Sequence, residues 1–380
     1  MKRNNISRRS FIKRSAQGAL TVTVAGELVR QPLWAMDNEK IVPQYRTLGK
    51  TGLSFTTLGF GCMRTSDPAV IRAAFDRGVN NFDTARVYMG GDNEEIVGKA
   101  LKDVRKDAFI TTKVKVSTIE QMRKDVQKSL KALQTDYVDI LLLHGRSDIA
   151  DLERNDLREF LASMKEQGKT RFVGFSTHSN MAELLNYTAE NGFYDVVLTA
   201  YNFKSDENLQ NAVKTAREAG IGVIAMKTQA GGYQDGATET LSAHQAALKW
   251  ALSDSNVTSA IPAIQTFDHL NENIKVMGSK MGFLDRKSLH RYGNIIDHKL
   301  CRMCGACKGQ CPSGVSLADL NRCVMYADGY KDYQLALENY QQLGARRNVS
   351  QCETCDECVI ECPNHLDPVQ TIRRASQLFT

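Results

Sequence analysis

Short apolar runs alternate with amphipathic stretches through most of this chain. Between about Leu48 and Val276 the strand-like runs are Asn80–Asp83, Phe109–Lys113, Val138–Leu143, Phe172–Ser176, Val196–Thr199, Val223–Met226 and Ser259–Ile261, with an opening run near Leu58. Stretches with apolar residues at three- and four-residue steps lie between them. They are Pro68–Arg77, Asn93–Leu101, Ile119–Leu133, Leu157–Gln167, Met181–Glu190, Leu209–Ala219, Leu241–Leu252 and Phe267–Val276. Such steps put side chains on one face of a helix, whereas short unbroken apolar runs suit strands covered on both faces. Eight strands alternating with eight helices over roughly 230 residues predict a (β/α)8 TIM barrel. A doubly wound open sheet would want G-x-G-x-x-G after its first strand. Gly59-Phe60-Gly61 is followed by Cys62 and Met63 with no third glycine, so that fingerprint fails.

The pattern changes after Val276. A polar stretch from Gly278 to Lys299, rich in basic residues and glycine, reads as a connector. Helical spacing returns at Leu317–Ala327, Tyr333–Leu343 and Pro368–Leu378. The expected organisation is a leader over 1–35, the barrel over 36–278, a connector over 279–297 and a small α-helical domain over 298–380.

Charge narrows the partners. The 380 residues carry a formal net charge of +6, with 42% hydrophobic and 24% charged residues, as in ordinary globular proteins. Seven basic side chains (Lys2, Arg3, Arg8, Arg9, Lys13, Arg14, Arg30) and one acid, Glu27, fall within the first 35 residues and hold that whole excess. The remainder is neutral and offers no counterion-release surface, so nucleic acid is not an expected partner. Ser7-Arg8-Arg9-Ser10-Phe11-Ile12-Lys13 reads as a twin-arginine export signal, followed by an uncharged run from Ser15 to Gly26. Twelve residues cannot cross a bilayer as an anchor. The expectation is no transmembrane span, the twin-arginine translocase as a partner, a periplasmic or otherwise exported location, and cleavage near Ala35.

The cysteines carry the sharpest signal. C-x2-C-x2-C-x3-C-P occurs twice, as Cys301, Cys304, Cys307, Cys311 and as Cys352, Cys355, Cys358, Cys362. Zinc sites favour two separated pairs of ligands, and three evenly spaced cysteines crowd disulfide geometry. The spacing is that of bacterial ferredoxins, in which the fourth cysteine of each run ligates the other cluster. Two 4Fe–4S clusters are therefore expected, one on Cys301, Cys304, Cys307 and Cys362, the other on Cys352, Cys355, Cys358 and Cys311. The long helical insert between the runs resembles the dicluster ferredoxin modules of respiratory enzymes. Cys62 and Cys323 stand at no ligand spacing, and Cys323 reads as core. Loading clusters before export also agrees with a route that carries folded proteins.

At the ends of successive predicted strands stand Asp83, Lys113 and His144, with Tyr88 just after Asp83. FDTARVY (Phe82–Tyr88), the GGDNEEIVGKAL that follows, TTK (Thr111–Lys113) and LLLH (Leu141–His144) resemble the aldo-keto reductase family in order and spacing, over roughly residues 45–276. The resemblance implies that Tyr88 exchanges a proton with a carbonyl oxygen while hydride passes to or from a nicotinamide. Lys113 is expected to lower the pKa of the Tyr88 phenol, Asp83 to hold Lys113, and His144 to orient the substrate oxygen.

The same resemblance implies cofactor-binding residues, and here the chain departs from the pattern. Ser176 survives after the fifth strand, but Thr177 stands where the family has asparagine. Leu198 stands where it has glutamine, with Tyr201 as the stacking aromatic. Ala263 and His269 replace the lysine and arginine that hold a 2′-phosphate, while Glu272 and Asn273 at the adenine remain. Lys227 and the turn Ala230-Gly231-Gly232 are candidates for the pyrophosphate. NAD(P) is thus a candidate cofactor without an expected NADPH preference. Two functions follow. One is an exported oxidoreductase interconverting a carbonyl and an alcohol on a small molecule, a sugar among the candidates, with electrons relayed by the clusters and a redox partner protein. The other is an electron-transfer subunit whose barrel is a degenerate docking scaffold.

Overall fold

The computed structural model describes residues 42–233, 242–352, 355 and 357–380. Ahead of them it gives the backbone of one antiparallel pair, β1 (Val22–Val24) with β2 (Glu27–Val29). The twin-arginine sequence, the Ala35 cleavage point and Leu241 lie outside the described residues.

Eight strands follow one another around a parallel sheet in sequence order. They are β5 (Phe60–Gly61), β6 (Asn81–Asp83), β7 (Phe109–Val114), β8 (Val138–Leu143), β9 (Thr170–Thr177), β10 (Val196–Ala200), β11 (Gly222–Met226) and β12 (Ser259–Ala260). Parallel bridges Leu58↔Ala260 and Gly61↔Ala263 join the last strand to the first and close the barrel. Every residue of β8, sequence VDILLL, is buried, which is why it reads as an unbroken apolar run. A hairpin that the hydrophobic pattern does not announce, β3 (Tyr45–Thr47) with β4 (Ser54–Thr56), lies at the N-terminal end of the barrel. Its Lys50 N–H donates to the carbonyl of Gly220, just before β11 (2.8 Å). Leu48, Leu53 and Phe55 enter the same apolar cluster as Ile140, Leu142, Val196 and Leu198. The barrel is plugged at that end and leaves its chemistry to the other.

The expected connector is a helix, Phe283–Ile296. Its polar look hides a stripe of Leu289, Tyr292 and Ile296 at three- and four-residue steps, all buried. Gly282 N–H donates to Asp285 at the first turn (2.7 Å), and Asp285 pairs with Lys249 of the Ala243–Ser253 barrel helix (3.0 Å). This helix ties the small domain to the barrel instead of leaving it on a tether. Ala230, Tyr233 and Ala243 of the barrel share one apolar cluster with Tyr292, Ile296, Leu300, Met325 and Ala336. The small domain itself is the three helices Leu317–Asp328, Tyr333–Gln341 and Pro368–Phe379, around Leu320, Cys323, Val324, Tyr340 and Ala375. Cys323 is fully buried there, as its helical position predicts.

Candidate active site

Tyr88 begins a single tight turn, Tyr88–Gly91, between β6 and the helix Asp92–Leu101. Gly91 (φ 111°) caps that helix, and a Cβ there would meet the Arg86 guanidinium at 1.8 Å, so only glycine fits. Arg86 pairs with the buried Glu94 (2.7 Å), which also accepts from Thr112 Oγ1 (2.6 Å). Asn93 donates to the Cys62 carbonyl (2.7 Å) and accepts from Thr84 Oγ1 (2.7 Å). The glycine-rich stretch after Tyr88 therefore anchors the turn that presents the phenol.

Beside it, Lys113 at the end of β7 is 1% exposed. Its Nζ donates to Asp83 Oδ1 (2.6 Å), to the Thr84 carbonyl (2.7 Å) and to the Tyr88 hydroxyl (3.2 Å). All three ammonium donors are thus used. The ring of His144, just past β8, stands edge-on to Tyr88 with centroids 5.7 Å apart. The four residues meet at the C-terminal mouth, as strand ends predict.

Electrostatics alter one expectation. Burial pushes the Tyr88 phenol above its ordinary value, and the opposing pull of Lys113 does not overcome it. Lys113 is held charged: burial works against it, but Asp83 and Tyr88 together raise its pKa. Tyr88 is therefore a protonated phenol at neutral pH, placed to give a proton to an oxygen. Burial drives His144 well below its usual pKa, with Lys113, Lys115, Arg146 and Arg322 adding to the effect. A neutral imidazole results. Its Nδ1 is buried without a protein partner among the described residues, a polar atom left for a bound molecule.

The predicted nucleotide residues fare differently. Ser176 Oγ accepts from the Gly145 N–H (2.9 Å). Asn273 is buried and accepts from Gln229 (3.3 Å), and Glu272 beside it is half-buried. Tyr201 does not face the mouth. It is buried against Trp250 of the Ala243–Ser253 helix, and its hydroxyl donates to Asp254 (2.7 Å). Lys227, at the end of β11, donates to the hydroxyl of Tyr326 in the Leu317–Asp328 helix (3.1 Å). A Cβ on Gly231 would meet Leu300 at 3.3 Å, and one on Gly232 the Tyr330 ring at 3.3 Å. The Gly231 carbonyl in turn leaves no room for a Cβ on Gly329. These glycines serve close approach of the small domain. The cavity left among Lys227, Ala230, Cys301 and Met325 is about 20 Å³, the space of one or two waters. With the small domain in this position, the end of β11 does not fit a dinucleotide's pyrophosphate.

The small domain also brings residues that the sequence pattern did not single out. Arg64, past β5, pairs with Asp332 (3.0 Å), donates to the Tyr330 carbonyl (2.9 Å) and lies over the Tyr330 ring. Arg322 reaches Nε2 of His178, past β9, at 3.3 Å. Arg322 and Tyr326 are four residues apart on one helix face, the only signal the sequence offers for them.

Cysteines of the two runs interleave. Burial raises the Cys301 thiol to about 12, with Cys307, Cys304 and Cys362 as the neighbouring thiols that add to the rise. For Cys352 burial again leads, and the neighbours are Cys311, Cys355 and Cys358. Asn364, next to the second run, donates to Cys304 Sγ of the first (3.3 Å). Among the described residues no three thiol, imidazole or carboxylate groups close on a single ion. A cubane does not require that, because each thiolate binds a different iron. The two groups of thiols, lined by Leu317, Ile360 and Leu366, fit two crossed clusters.

Comparison with known proteins agrees with this architecture. Residues 57–243 match the aldo/keto reductase family. The chain carries an aldo/keto reductase domain. Residues 293–363 match the 4Fe-4S dicluster domain, so this oxidoreductase of aldo-keto reductase type also has an iron–sulfur module. The chain is 28% identical to an L-galactose dehydrogenase of Arabidopsis thaliana, over 67% of this chain and 94% of that protein. It is 27% identical to the methylglyoxal reductase DkgB of Escherichia coli O157:H7, over 62% of this chain and 92% of that one. Among solved structures it resembles the aldo-keto reductase AKR11C1 of Bacillus halodurans in its holo form, with TM-score 0.56 and 23% identity over 66% of this chain and 96% of that one. An aldo-keto reductase of Klebsiella pneumoniae in complex with NADP and acetate gives TM-score 0.55 and 24% identity, over 66% and 95%.

Proposed function

We propose that the protein interconverts a carbonyl and an alcohol on a small molecule, with Tyr88 exchanging the proton at oxygen and the iron–sulfur clusters carrying the electrons. The observation that supports this most is the buried contact of Lys113 with both Asp83 and Tyr88. A buried ion pair is weak support for stability, so its retention in the mouth argues for chemistry. His144, neutral and with a free ring nitrogen, orients the substrate oxygen. When bound, each cluster gives or takes one electron at a time. Cys301 lines the same small cavity as Lys227, which supports an electron path from a cluster on Cys301 to the barrel. The relatives named above act on a sugar and on a 2-oxoaldehyde, and a small compound of either kind is the substrate class proposed. A scaffold reading draws on the covered end of β11, but it leaves the buried tetrad without a purpose.

The test is turnover by the cluster-loaded protein, with methylglyoxal and dithionite in one direction and L-galactose and ferricyanide in the other. Tyr88→Phe is expected to abolish it while leaving the visible cluster absorbance unchanged. Full turnover in that variant would remove Tyr88 from its role.

The export reading rests on Arg8 and Arg9. Lysine at both keeps the charge but not what the translocase recognises, so that variant should accumulate folded and cluster-loaded in the cytoplasm. Undiminished export would refute the signal.

A further inference from the structure

We propose that Tyr326, held by Lys227, is a second proton-transfer residue of the reaction, contributed by the cluster domain. Among the described residues are two lysine–tyrosine pairs of closely similar geometry. Lys113 Nζ lies 3.2 Å from the Tyr88 hydroxyl and 4.7 Å from its ring centroid. Lys227 Nζ lies 3.1 Å from the Tyr326 hydroxyl and 4.8 Å from its ring centroid. The first pair lies wholly in the barrel; the second takes its lysine from the barrel and its tyrosine from the cluster domain. Tyr326 is 5% exposed, and the two phenols are close enough to act on each other electrostatically.

Chemistry gives the second pair a task. An alcohol carbon that becomes a carbonyl loses two hydrogens and two electrons. With a hydride acceptor, the C–H bond leaves with its electron pair, and only the O–H proton needs a base. One-electron acceptors take no hydride, so with clusters held by the cysteines of the two runs as acceptors, both hydrogens would leave as protons and the two electrons would leave singly. In the reducing direction the Tyr88 phenol gives its proton to the carbonyl oxygen, and in the oxidising direction the Tyr88 phenolate takes the O–H proton. The C–H bond breaks with its proton passing to the Tyr326 oxygen, and in the reverse direction Tyr326 returns that proton to carbon. This inference rests on the reading that clusters carry the electrons. It gives a purpose to a pair standing where the pyrophosphate cradle was expected.

The surroundings suit a base. Lys113 is neutralised by Asp83, but no carboxylate of the described residues pairs with Lys227. Burial and Cys323 push the Tyr326 phenol up, yet Lys227 and Arg322 outweigh them and bring it below its ordinary value. The Tyr330 ring, 5.3 Å away, completes the enclosure.

Two measurements on the anaerobic, cluster-loaded protein test the proposal. Ultraviolet difference titration should show a phenolate forming below the ordinary tyrosine range. That transition should vanish in Tyr326→Phe, persist in Tyr88→Phe and move up in Lys227→Met. Its survival in Tyr326→Phe overturns the proposal. Dithionite-driven reduction of methylglyoxal in heavy water should place solvent deuterium on the new carbinol carbon, located by NMR. Tyr326→Phe should lower kcat about 10²- to 10⁴-fold with little change in KM. Deuterium incorporation at an undiminished rate in Tyr326→Phe removes Tyr326 and leaves the cluster reading standing. No solvent deuterium at that carbon means hydride transfer, and the cluster reading falls with the proposal.

Discussion

Arg64 of the barrel and Asp332 of the cluster domain form an ion pair at 3.0 Å, with side chains 13% and 28% exposed. The same guanidinium donates to the Tyr330 carbonyl and covers the Tyr330 ring, so one barrel residue holds the segment that follows the Tyr326 helix. Partial burial makes this worth more than a surface pair, about 1.5–3 kcal/mol for its charged hydrogen bonds. Arg64→Ala is expected to speed amide exchange across Leu317–Asp332 without affecting the far side of the barrel. A double-mutant cycle with Asp332→Ala should return a coupling of about 1 kcal/mol or more. Additive effects would show that the apolar junction alone holds the domains together.

Removing Lys113 and removing the Tyr88 hydroxyl should separate stability from chemistry. Lys113→Met strands Asp83, 7% exposed, as an uncompensated buried carboxylate. A loss of about 3–5 kcal/mol is expected. Asp83→Asn in the same chain should recover part of it. Tyr88→Phe keeps the ring packed and costs only about 0.5–1.5 kcal/mol. Chemical denaturation of the three variants checks the order, and equal losses in Lys113→Met and Tyr88→Phe would contradict it.

The barrel was legible because its strands are buried on both faces. Every residue of β8 is buried, whichever face it points to, so the strand reads as VDILLL. The tetrad was legible because each member closes a strand or follows one closely. Two things were hidden for physical reasons. The Phe283–Ile296 helix buries a narrow stripe and keeps charged residues between, so its average character is polar. Tyr326 looks like one more apolar position on an amphipathic helix. Its partner Lys227 is 99 residues away, and no local pattern encodes that contact. Lys113 does pull the Tyr88 pKa down, as expected, but burial outweighs that pull, and this part was hidden for a related reason. Sequence shows which charges are near, but not how deeply they are buried.

The crossed ligation expected from the cysteine spacing predicts which cysteine losses act together. Cys301 and Cys362 stand in one group of thiols, and Cys311 and Cys352 in the other. Cys301→Ala with Cys362→Ala should cost one cluster and leave about four irons per chain. Cys301→Ala with Cys311→Ala, two changes in one run, should cost both clusters. Iron analysis and low-temperature EPR read the outcome. The opposite pattern would mean that each run binds its own cluster.

Nicotinamide nucleotides should bind the cluster-loaded protein weakly and alike. Lys227 and the Gly231-Gly232 turn are engaged by the cluster domain, and the exposed His269 stands where a 2′-phosphate would need arginine. Each lost charge-assisted hydrogen bond removes about 1.5–3 kcal/mol, which takes away the usual gain of NADPH over NADH. Calorimetric titration should give affinities within about tenfold of each other. NADPH binding a hundredfold tighter would mean that the phosphate finds another cation.

Two histidines at the mouth should make stability depend on pH in a stated direction. His144 and His178 are both held well below their ordinary pKa of 6.5, by burial first and then by surrounding cations that include Arg322 in each case. Below pH 6.5 the unfolded chain binds protons at these sites while the native chain does not. Stability therefore rises with pH through this window and is lost as pH falls from 6.5 toward the depressed native values. Each histidine adds at most about 1.4 kcal/mol per pH unit, so the pair approaches about 2.7. Carboxylates add their own dependence at lower pH, which makes the difference between chains the useful quantity. Glutamine at both positions removes the two titrations and keeps a polar group facing Arg322 and Tyr88. Anaerobic thermal melts between about pH 7 and 5.5 should show a clearly shallower fall for that variant than for the parent chain. Parallel curves would mean that the imidazoles take up protons in the native mouth, and the neutral His144 assigned to the substrate oxygen would have to be given up.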